Sequence, residues 1–247
     1  MSPRAPHRFY FAGALAGAQE AALSAEESHH LLRVLRLGGG ARIELFDGEG
    51  RGWLAEVAGE HKGIARVRLV EPLASRRPER FELHIAIAVL KRRPMDWMIE
   101  KLSELGVDTL QPLVTARSIG QADFKAHEAP PERWERLALA AAKQCGRNRP
   151  LALRALAPLS DWLRQPFPEA LRLVACLGEG MPTIGQSLAE RRDACEPVWV
   201  AIGPEGGWTP AEETAFAAAG FKPVRLGDLT LRAETAALAA AAACRLL

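Results

Sequence analysis

The 247-residue sequence contains only four cysteines, and they lie far apart in the chain. None belongs to a Cys-x-x-Cys pair, so their spacing argues against a structural zinc site and against a disulfide framework. The six histidines also lack the spacing of metal ligands, and we expect no metal centre. Cys176 and Cys244 lie in apolar runs, which is typical of small buried side chains.

Long apolar runs are also missing, since none approaches the roughly 20 residues that a transmembrane helix needs. The sequence therefore predicts no membrane partner. Residues 9–18 follow basic residues, as the apolar part of a secretory signal peptide would, but this run is short and contains two glycines. We interpret it as part of the folded protein and expect a cytoplasmic location.

Net charge is small, at +2, but it is unevenly distributed along the chain. Residues 76–155 carry a net charge of +5, whereas residues 156–247 carry −3. Of the 32 basic residues, 26 are arginines, whose guanidinium groups form bidentate contacts with phosphate. An alanine- and arginine-rich genome would give the same bias, so charge alone leaves nucleic-acid binding open.

The first part of the chain has the pattern of a small β-barrel. Residues 41–46, 52–57 and 64–70 alternate apolar with polar side chains, and Asp47-Gly48 is a hairpin signal. Residues 24–36 predict a helix that Ser24 caps, with Glu27 three residues further on. A proline-containing linker over residues 71–80 follows. We therefore predict a first domain over residues 1–72 and a second over residues 73–247.

The spacing of apolar residues changes after residue 81, where strand and helix patterns alternate. Strands are predicted over residues 83–90, 107–114, 171–176 and 197–202, and helices over residues 94–105 and 131–145. Thr209 and Glu212 form a capping-box pattern that begins a further helix. This alternation predicts an α/β domain with a mainly parallel sheet.

Two turns rich in glycine and charged residues follow apolar runs near the C-terminus, at residues 201–207 and 226–236. Ligands in open α/β sheets bind outside the carboxyl ends of the strands, so two such turns predict one pocket. The pocket is expected to be built largely from main chain, with Arg232 and Glu234 as its charged side chains. The turns lack the patterns of a P-loop and of a dinucleotide fingerprint, which disfavours a nucleoside triphosphatase or a dehydrogenase.

These turns closely resemble the signature of the bacterial 16S rRNA uridine-N3 methyltransferases, within the SPOUT superfamily. The resemblance extends in the family's order over nearly the whole chain, through residues 33–36, 45–48, 101–107, 144–147, 202–207, 226–227 and 231–236. It implies a C-terminal α/β trefoil-knot domain preceded by a small PUA-like β-barrel, a homodimer, and S-adenosyl-L-methionine as methyl donor. Three loops are then expected to hold this cofactor, through Leu177, Gly178, Ile202, Gly203, Gly206, Gly207, Leu226, Gly227 and Leu231.

The resemblance also implies a substrate, 16S rRNA or the small ribosomal subunit. Uracil N3 must lose its proton, and a fixed arginine would stabilise the charge that spreads onto the flanking carbonyl oxygens. Arg232 is the candidate, with Glu234 orienting it or accepting the proton. The alternative for this pair is an ion pair at the start of the last helix. The expected RNA contacts are Arg33, Arg36, Arg117 and Arg147.

Two other functions stay open at this point. One is a non-catalytic RNA-binding or ribosome-assembly protein with the same fold, and the other is a SPOUT methyltransferase that acts on another RNA nucleotide. An intact pocket with Arg232 favours an enzyme, because a protein that only binds RNA does not need the pocket.

Overall fold

The computed structural model describes residues 6–13, 15, 17–74, 81–118, 130–178, 180–191 and 195–246. The chain divides into two compact units, Met1–Pro78 with Ala142–Pro150, and Glu79–Ala141 with Leu151–Leu247. Residues 75–80, the second half of the predicted linker, lie outside the described part. The division at residue 72 stays a prediction.

The first unit contains a five-stranded sheet in the order β1-β3-β4-β5-β2. Its strands are β1 (Arg8–Tyr10), β2 (Glu20–Ala22), β3 (Arg42–Phe46), β4 (Gly52–His61) and β5 (Ile64–Leu73). The three predicted strands correspond to β3, β4 and β5, which pair antiparallel. Their alternate residues, including Ile43, Leu45, Val57 and Val67, fill a core that excludes water almost completely.

The predicted helix over residues 24–36 is present but changes its winding. Helix α1 (Ala25–His29) continues directly into a π-helical turn over His30–Val34. The N–H of Leu35 reaches back to the carbonyl of His30 at 2.9 Å, five residues earlier. Arg36 then ends the turn with a φ of 54°. Apolar periodicity alone does not distinguish this wider turn from an α-helix.

Ser24 caps α1 as predicted, because its side chain accepts the N–H of Glu27 at 3.2 Å. The Glu27 carboxylate, however, forms an ion pair with Lys143, and both residues belong to the first unit. The Glu27 side chain is only 6% exposed, so this ion pair compensates a buried charge.

The second unit contains a seven-stranded sheet in which every pairing is parallel, as predicted. The order is β12-β10-β11-β6-β7-β8, and β9 also pairs with β7. The strands are β6 (Leu83–Ala88), β7 (Thr109–Val114), β8 (Ala152–Leu153), β9 (Ala157–Pro158), β10 (Leu171–Ala175), β11 (Val198–Ile202) and β12 (Lys222–Val224). The helices are α2 (Arg92–Glu104), α3 (Glu132–Cys145), α4 (Leu159–Leu163), α5 (Ile184–Ala189), α6 (Pro210–Ala218) and α7 (Ala233–Leu246). The last four residues of α3, from Ala142 onwards, belong to the first unit.

Helices cover this sheet on both faces, which explains why β6 and β11 are apolar almost throughout. Helices α2 and α7 pack together on one face, and the alanines of α7 allow it to approach β6 and β11. An aromatic cluster that contains Trp162 and Phe216 covers the other face. At the end of α7, Arg245 donates to the carbonyl oxygens of Phe81 (2.7 Å) and Gly106 (2.6 Å), next to the starts of β6 and β7.

Candidate active site

Three neighbouring strands of the parallel sheet, β12, β10 and β11, open at their carboxyl ends into one cavity. The loop with Leu177 and Gly178 follows β10, the turn at residues 203–207 follows β11, and Leu226 with Gly227 follows β12. The cavity has a volume of about 1200 Å³. All nine predicted cofactor contacts line it: Leu177, Gly178, Ile202, Gly203, Gly206, Gly207, Leu226, Gly227 and Leu231.

The turn after β11 is held in one shape by its own backbone and by Trp208. The N–H of Gly207 donates to the carbonyl of Pro204 at 2.8 Å, and Gly207 has a φ of 69° that favours glycine. The indole Nε1 of Trp208 donates to the carbonyl of Ala175, at the end of β10, at 3.0 Å. The same ring lies against Gly203, where an added Cβ would come within 3.1 Å of it. Trp208 therefore ties the turn after β11 to the end of β10.

The segment after β7 forms hydrogen bonds to this turn and to the start of α6. Arg117 donates from Nη1 to the carbonyl oxygens of Gly206 (2.6 Å) and Trp208 (3.3 Å). The N–H of Ala116 donates to Oε1 of Glu212 at 2.8 Å. The other carboxylate oxygen of Glu212 completes the predicted capping box with Thr209 at the start of α6.

The loop after β12 is attached to the start of α5. The N–H of Arg225 donates to the carbonyl of Pro182 at 3.0 Å, and the N–H of Ile184 donates to the carbonyl of Arg225 at 3.2 Å. The Arg225 side chain forms an ion pair with Asp228. Asp228 lies in the predicted turn at residues 226–236, whereas the sequence does not predict Arg225, Pro182 or Trp208 as part of the site. The position of Trp208 directly after the Gly-Gly pair is a usable signal.

Among the described residues, four carboxylates line the cavity, whereas the one described lining cation, Arg225, is already paired. The carboxylates are Glu190, Glu205, Glu213 and Asp228. Burial raises the pKa of the nearby Cys176 thiol to about 11, with a smaller contribution from the charge of Glu213. The thiol is therefore neutral at pH 7, and the lining as a whole favours a ligand that carries positive charge.

Arg232 directly precedes α7 and Glu234 lies in its first turn, and neither is among the residues that line the cavity, although the sequence predicts them as its charged side chains. Leu231 and Ala233, on either side of Arg232, line the cavity, and the carbonyl of Arg232 accepts the N–H of Ala236 at 2.8 Å. The Arg232 side chain is exposed and that of Glu234 is half-buried. Within the described part of the chain, the two side chains form no ion pair with each other.

The four arginines expected to contact RNA are in different surroundings. Arg33 is exposed and lies 3.8 Å from the carboxylate of Glu60, and Arg36 is exposed with its backbone in the left-handed region. Arg147 is half-buried, and its carbonyl accepts a hydrogen bond from Arg8 at 3.3 Å. The fourth, Arg117, contacts the glycine turn. RNA binding by these residues stays a prediction.

A parallel α/β sheet with a cavity at its carboxyl edge is an architecture that binds ligands outside the strand ends, and comparison with known proteins identifies the class. A family profile described as an RNA methyltransferase domain matches residues 77–245, and one described as an RNA methyltransferase PUA domain matches residues 23–70. The ribosomal RNA small subunit methyltransferase E of Synechocystis sp. is 33% identical over 215 residues, covering 87% of this chain and 69% of that protein.

Two solved structures of similar proteins superpose on this chain over nearly its full length. The ribosomal RNA small subunit methyltransferase E of Neisseria gonorrhoeae, bound to S-adenosylmethionine, has 29% identity and a TM-score of 0.85, and the match covers 98% of this chain and 97% of that one. A putative methyltransferase of Legionella pneumophila, in complex with the same cofactor, has 28% identity, a TM-score of 0.81 and the same coverage.

This protein therefore belongs to the family of ribosomal RNA small subunit methyltransferases E. The predicted family, fold class and enzyme class are confirmed. In the part of the chain that the structure describes, no group of three or more His, Cys, Asp and Glu side chains is placed to hold a metal ion. None of the described helices is both long and apolar enough to cross a membrane.

Proposed function

We propose that this enzyme transfers a methyl group from S-adenosyl-L-methionine to N3 of a uridine in the 16S rRNA of the small ribosomal subunit. The observation that carries the proposal is the convergence of three strand-end loops on one cavity of about 1200 Å³. Membership of the methyltransferase E family supports the rRNA substrate. The resemblance in the glycine turns supports the uridine and its N3 atom.

The residues of the cavity fit the cofactor. Adenine and ribose are recognised by directional hydrogen bonds, and a lining of glycine main chain allows close approach to N–H and C=O groups. The carboxylates at residues 190, 205 and 213 suit the positive charge of a sulfonium and an amino group. When bound, S-adenosylmethionine supplies a methyl group that is already electrophilic.

The exposure of Arg232 next to the cavity lining supports a role on the target base. It follows the last predicted cofactor contact, Leu231, which lines the cavity, and its side chain is exposed. A guanidinium fixed beside a uracil carbonyl oxygen stabilises the negative charge that develops as N3 loses its proton. Glu234, in the first turn of α7, orients this arginine or accepts the proton. N3 lies on the Watson–Crick edge, so the target uridine must be unpaired or flipped out.

RNA binding is assigned to the arginines of the first unit. Arg33, Arg36 and Arg147 all belong to it, because Ala142–Pro150 is part of the first unit. Structured rRNA is recognised largely by its shape and backbone, for which a few guanidinium contacts suffice.

We further propose a cytoplasmic homodimer. Trp97 on α2 and Leu246 on α7 are large apolar side chains exposed on two helices that pack together, which supports burial by a second copy. Light scattering behind size-exclusion chromatography measures the mass directly. A mass of one chain at micromolar concentration would contradict the dimer.

Methyl transfer by the purified protein to unmodified 16S rRNA and to small subunits tests the function. The assay uses radiolabelled S-adenosylmethionine, and the product nucleoside is identified by mass spectrometry. Arg232→Ala is expected to lower kcat by about 100-fold or more, as for loss of an oxyanion-stabilising donor, while cofactor affinity stays close to wild type. A wild-type rate in this variant would refute the role of Arg232. RNA binding without any transfer by the wild type would favour a binding-only protein.

A further inference from the structure

The segment that follows β7, residues 115–118, has a conformation fixed by its own hydrogen bonds. The hydroxyls of Thr115 and Ser118 lie 2.8 Å apart, and the Ser118 hydroxyl also accepts the N–H of Thr115 at 3.0 Å. Both side chains are buried. Together with the hydrogen bond from Ala116 to Glu212, these contacts place residue 117 against the turn without the help of its own side chain.

Arg117 contacts the turn in two ways. Its Nη1 donates to two carbonyl oxygens, of Gly206 at 2.6 Å and of Trp208 at 3.3 Å. Its aliphatic stem covers Gly206 so closely that an added Cβ would lie 3.2 Å from Cδ and 3.4 Å from Cβ of Arg117. Nη1 is thus committed to the turn, and the stem packs on Gly206 in a way that a phosphate contact does not require.

We propose that Arg117 is a positioning residue that fixes the turn at residues 204–207 in the shape that receives the methyl donor, and not an RNA contact. The inference rests on the proposed function, because it takes this cavity as the cofactor site. The cofactor is held by the main chain of the turn, and Arg117 acts on it by orienting that main chain.

The physical reason is the freedom of the two adjacent glycines. Gly206 and Gly207 have no Cβ to restrict them, and ordering such residues costs more conformational entropy than ordering any others. Within the turn itself, one backbone hydrogen bond opposes this freedom, from Gly207 to Pro204. A guanidinium that holds the carbonyl oxygens of Gly206 and Trp208 selects one orientation of the peptide planes in advance. Binding then no longer has to order the turn.

Calorimetric titration with S-adenosylmethionine, without RNA, tests the inference in Arg117→Ala. Loss of these charge-assisted hydrogen bonds is expected to weaken cofactor binding by about tenfold. Because the arginine is exposed, the thermal midpoint of the ligand-free protein should stay within about 2 °C of wild type. Steady-state kinetics should show a raised KM for the cofactor and an unchanged KM for RNA.

Two further variants and a control sharpen this test. Arg117→Lys keeps a charge for phosphate but lacks the planar guanidinium, so it should bind the cofactor nearly as weakly as the alanine variant. Gly206→Ala displaces the stem of Arg117 and should weaken binding to a similar extent. Arg164→Ala is the matched control, because Arg164 is an exposed arginine whose ion-pair partner is Asp161 on α4. It should bind the cofactor as wild type does.

The possible outcomes separate this inference from the proposed function. Wild-type cofactor affinity in Arg117→Ala, with a raised KM for RNA that Arg117→Lys restores, would overturn the inference and return Arg117 to RNA binding. No cofactor binding by the wild-type protein would overturn the proposed function, and the inference with it. We expect weaker cofactor binding in Arg117→Ala, Arg117→Lys and Gly206→Ala, and wild-type cofactor binding in the control Arg164→Ala.

Discussion

The substitution Gly203→Ala tests the close packing at the centre of the cavity. Gly203 has no positive φ, so its backbone accepts alanine, and the effect comes from the added methyl group alone. That methyl would lie 3.1 Å from Cε2 and 3.3 Å from Nε1 of Trp208. Ordinary carbon contacts begin near 3.5 Å, so the indole has to move by about 0.4 Å.

This movement acts on a ring that is held on two other sides. Trp208 donates to the carbonyl of Ala175 at 3.0 Å and packs edge-on against Phe216 at a centroid distance of 4.6 Å. A displacement of this size lengthens the hydrogen bond towards its limit, which costs about 1 kcal/mol, and overpacking adds about 1 kcal/mol. We expect the free energy of unfolding to fall by about 2 kcal/mol and cofactor affinity to fall about tenfold.

Urea unfolding and calorimetric titration measure both effects, with Gly38→Ala as the control. Gly38 has no atom within 4 Å of an added Cβ and no positive φ, so its substitution should change neither quantity. In a Trp208→Phe background the smaller ring relieves the contact, and Gly203→Ala should then have little effect. If Gly203→Ala behaved like Gly38→Ala in the wild-type background, the packing argument would be refuted.

Three other predictions follow from burial and capping. Only the thiolate of a cysteine reacts with iodoacetamide, and the pKa of Cys176 is raised to about 11. Cys176 should therefore react much more slowly at pH 7 than the exposed Cys195. Its reaction rate should rise about tenfold per pH unit up to that pKa. A rate independent of pH would contradict this. Lys143→Met leaves the Glu27 carboxylate buried without its partner and should lower the free energy of unfolding by about 3 kcal/mol in urea titration. Adding Glu27→Gln should recover most of the loss, and no recovery would exclude the ion pair as the cause. Thr209→Ala removes the capping box of α6 and should cost about 1 kcal/mol by the same measurement, whereas Thr209→Ser should cost less; equal losses would argue against the cap.

The sequence was sufficient for elements whose signal is local. Strand β6 is recognisable because both of its faces are buried, and α6 because Thr209 and Glu212 alone determine its first turn. The two glycine turns were also recognisable, since a pocket at the carboxyl edge of a parallel sheet requires close main-chain approach.

Other features depend on contacts between distant residues. The two-residue strands β8 and β9 exist only because β7 pairs with them, and no period can be read from two residues. The ion pair of Glu27 with Lys143 joins residues 116 positions apart. The hydrogen bond of Arg117 to Gly206 in the glycine turn joins residues 89 positions apart, so the sequence does not predict it.

Nucleoside mass spectrometry of 16S rRNA tests the central claim most directly. The measurement compares a strain that lacks this gene with its parent and with strains complemented by the wild-type gene or by Arg232→Ala. The account predicts that 3-methyluridine disappears from the small-subunit rRNA on deletion, returns with the wild-type gene and does not return with the variant. An unchanged 3-methyluridine level in the deletion strain would contradict it, and loss of a different methylated nucleoside would move the target of the enzyme to another base.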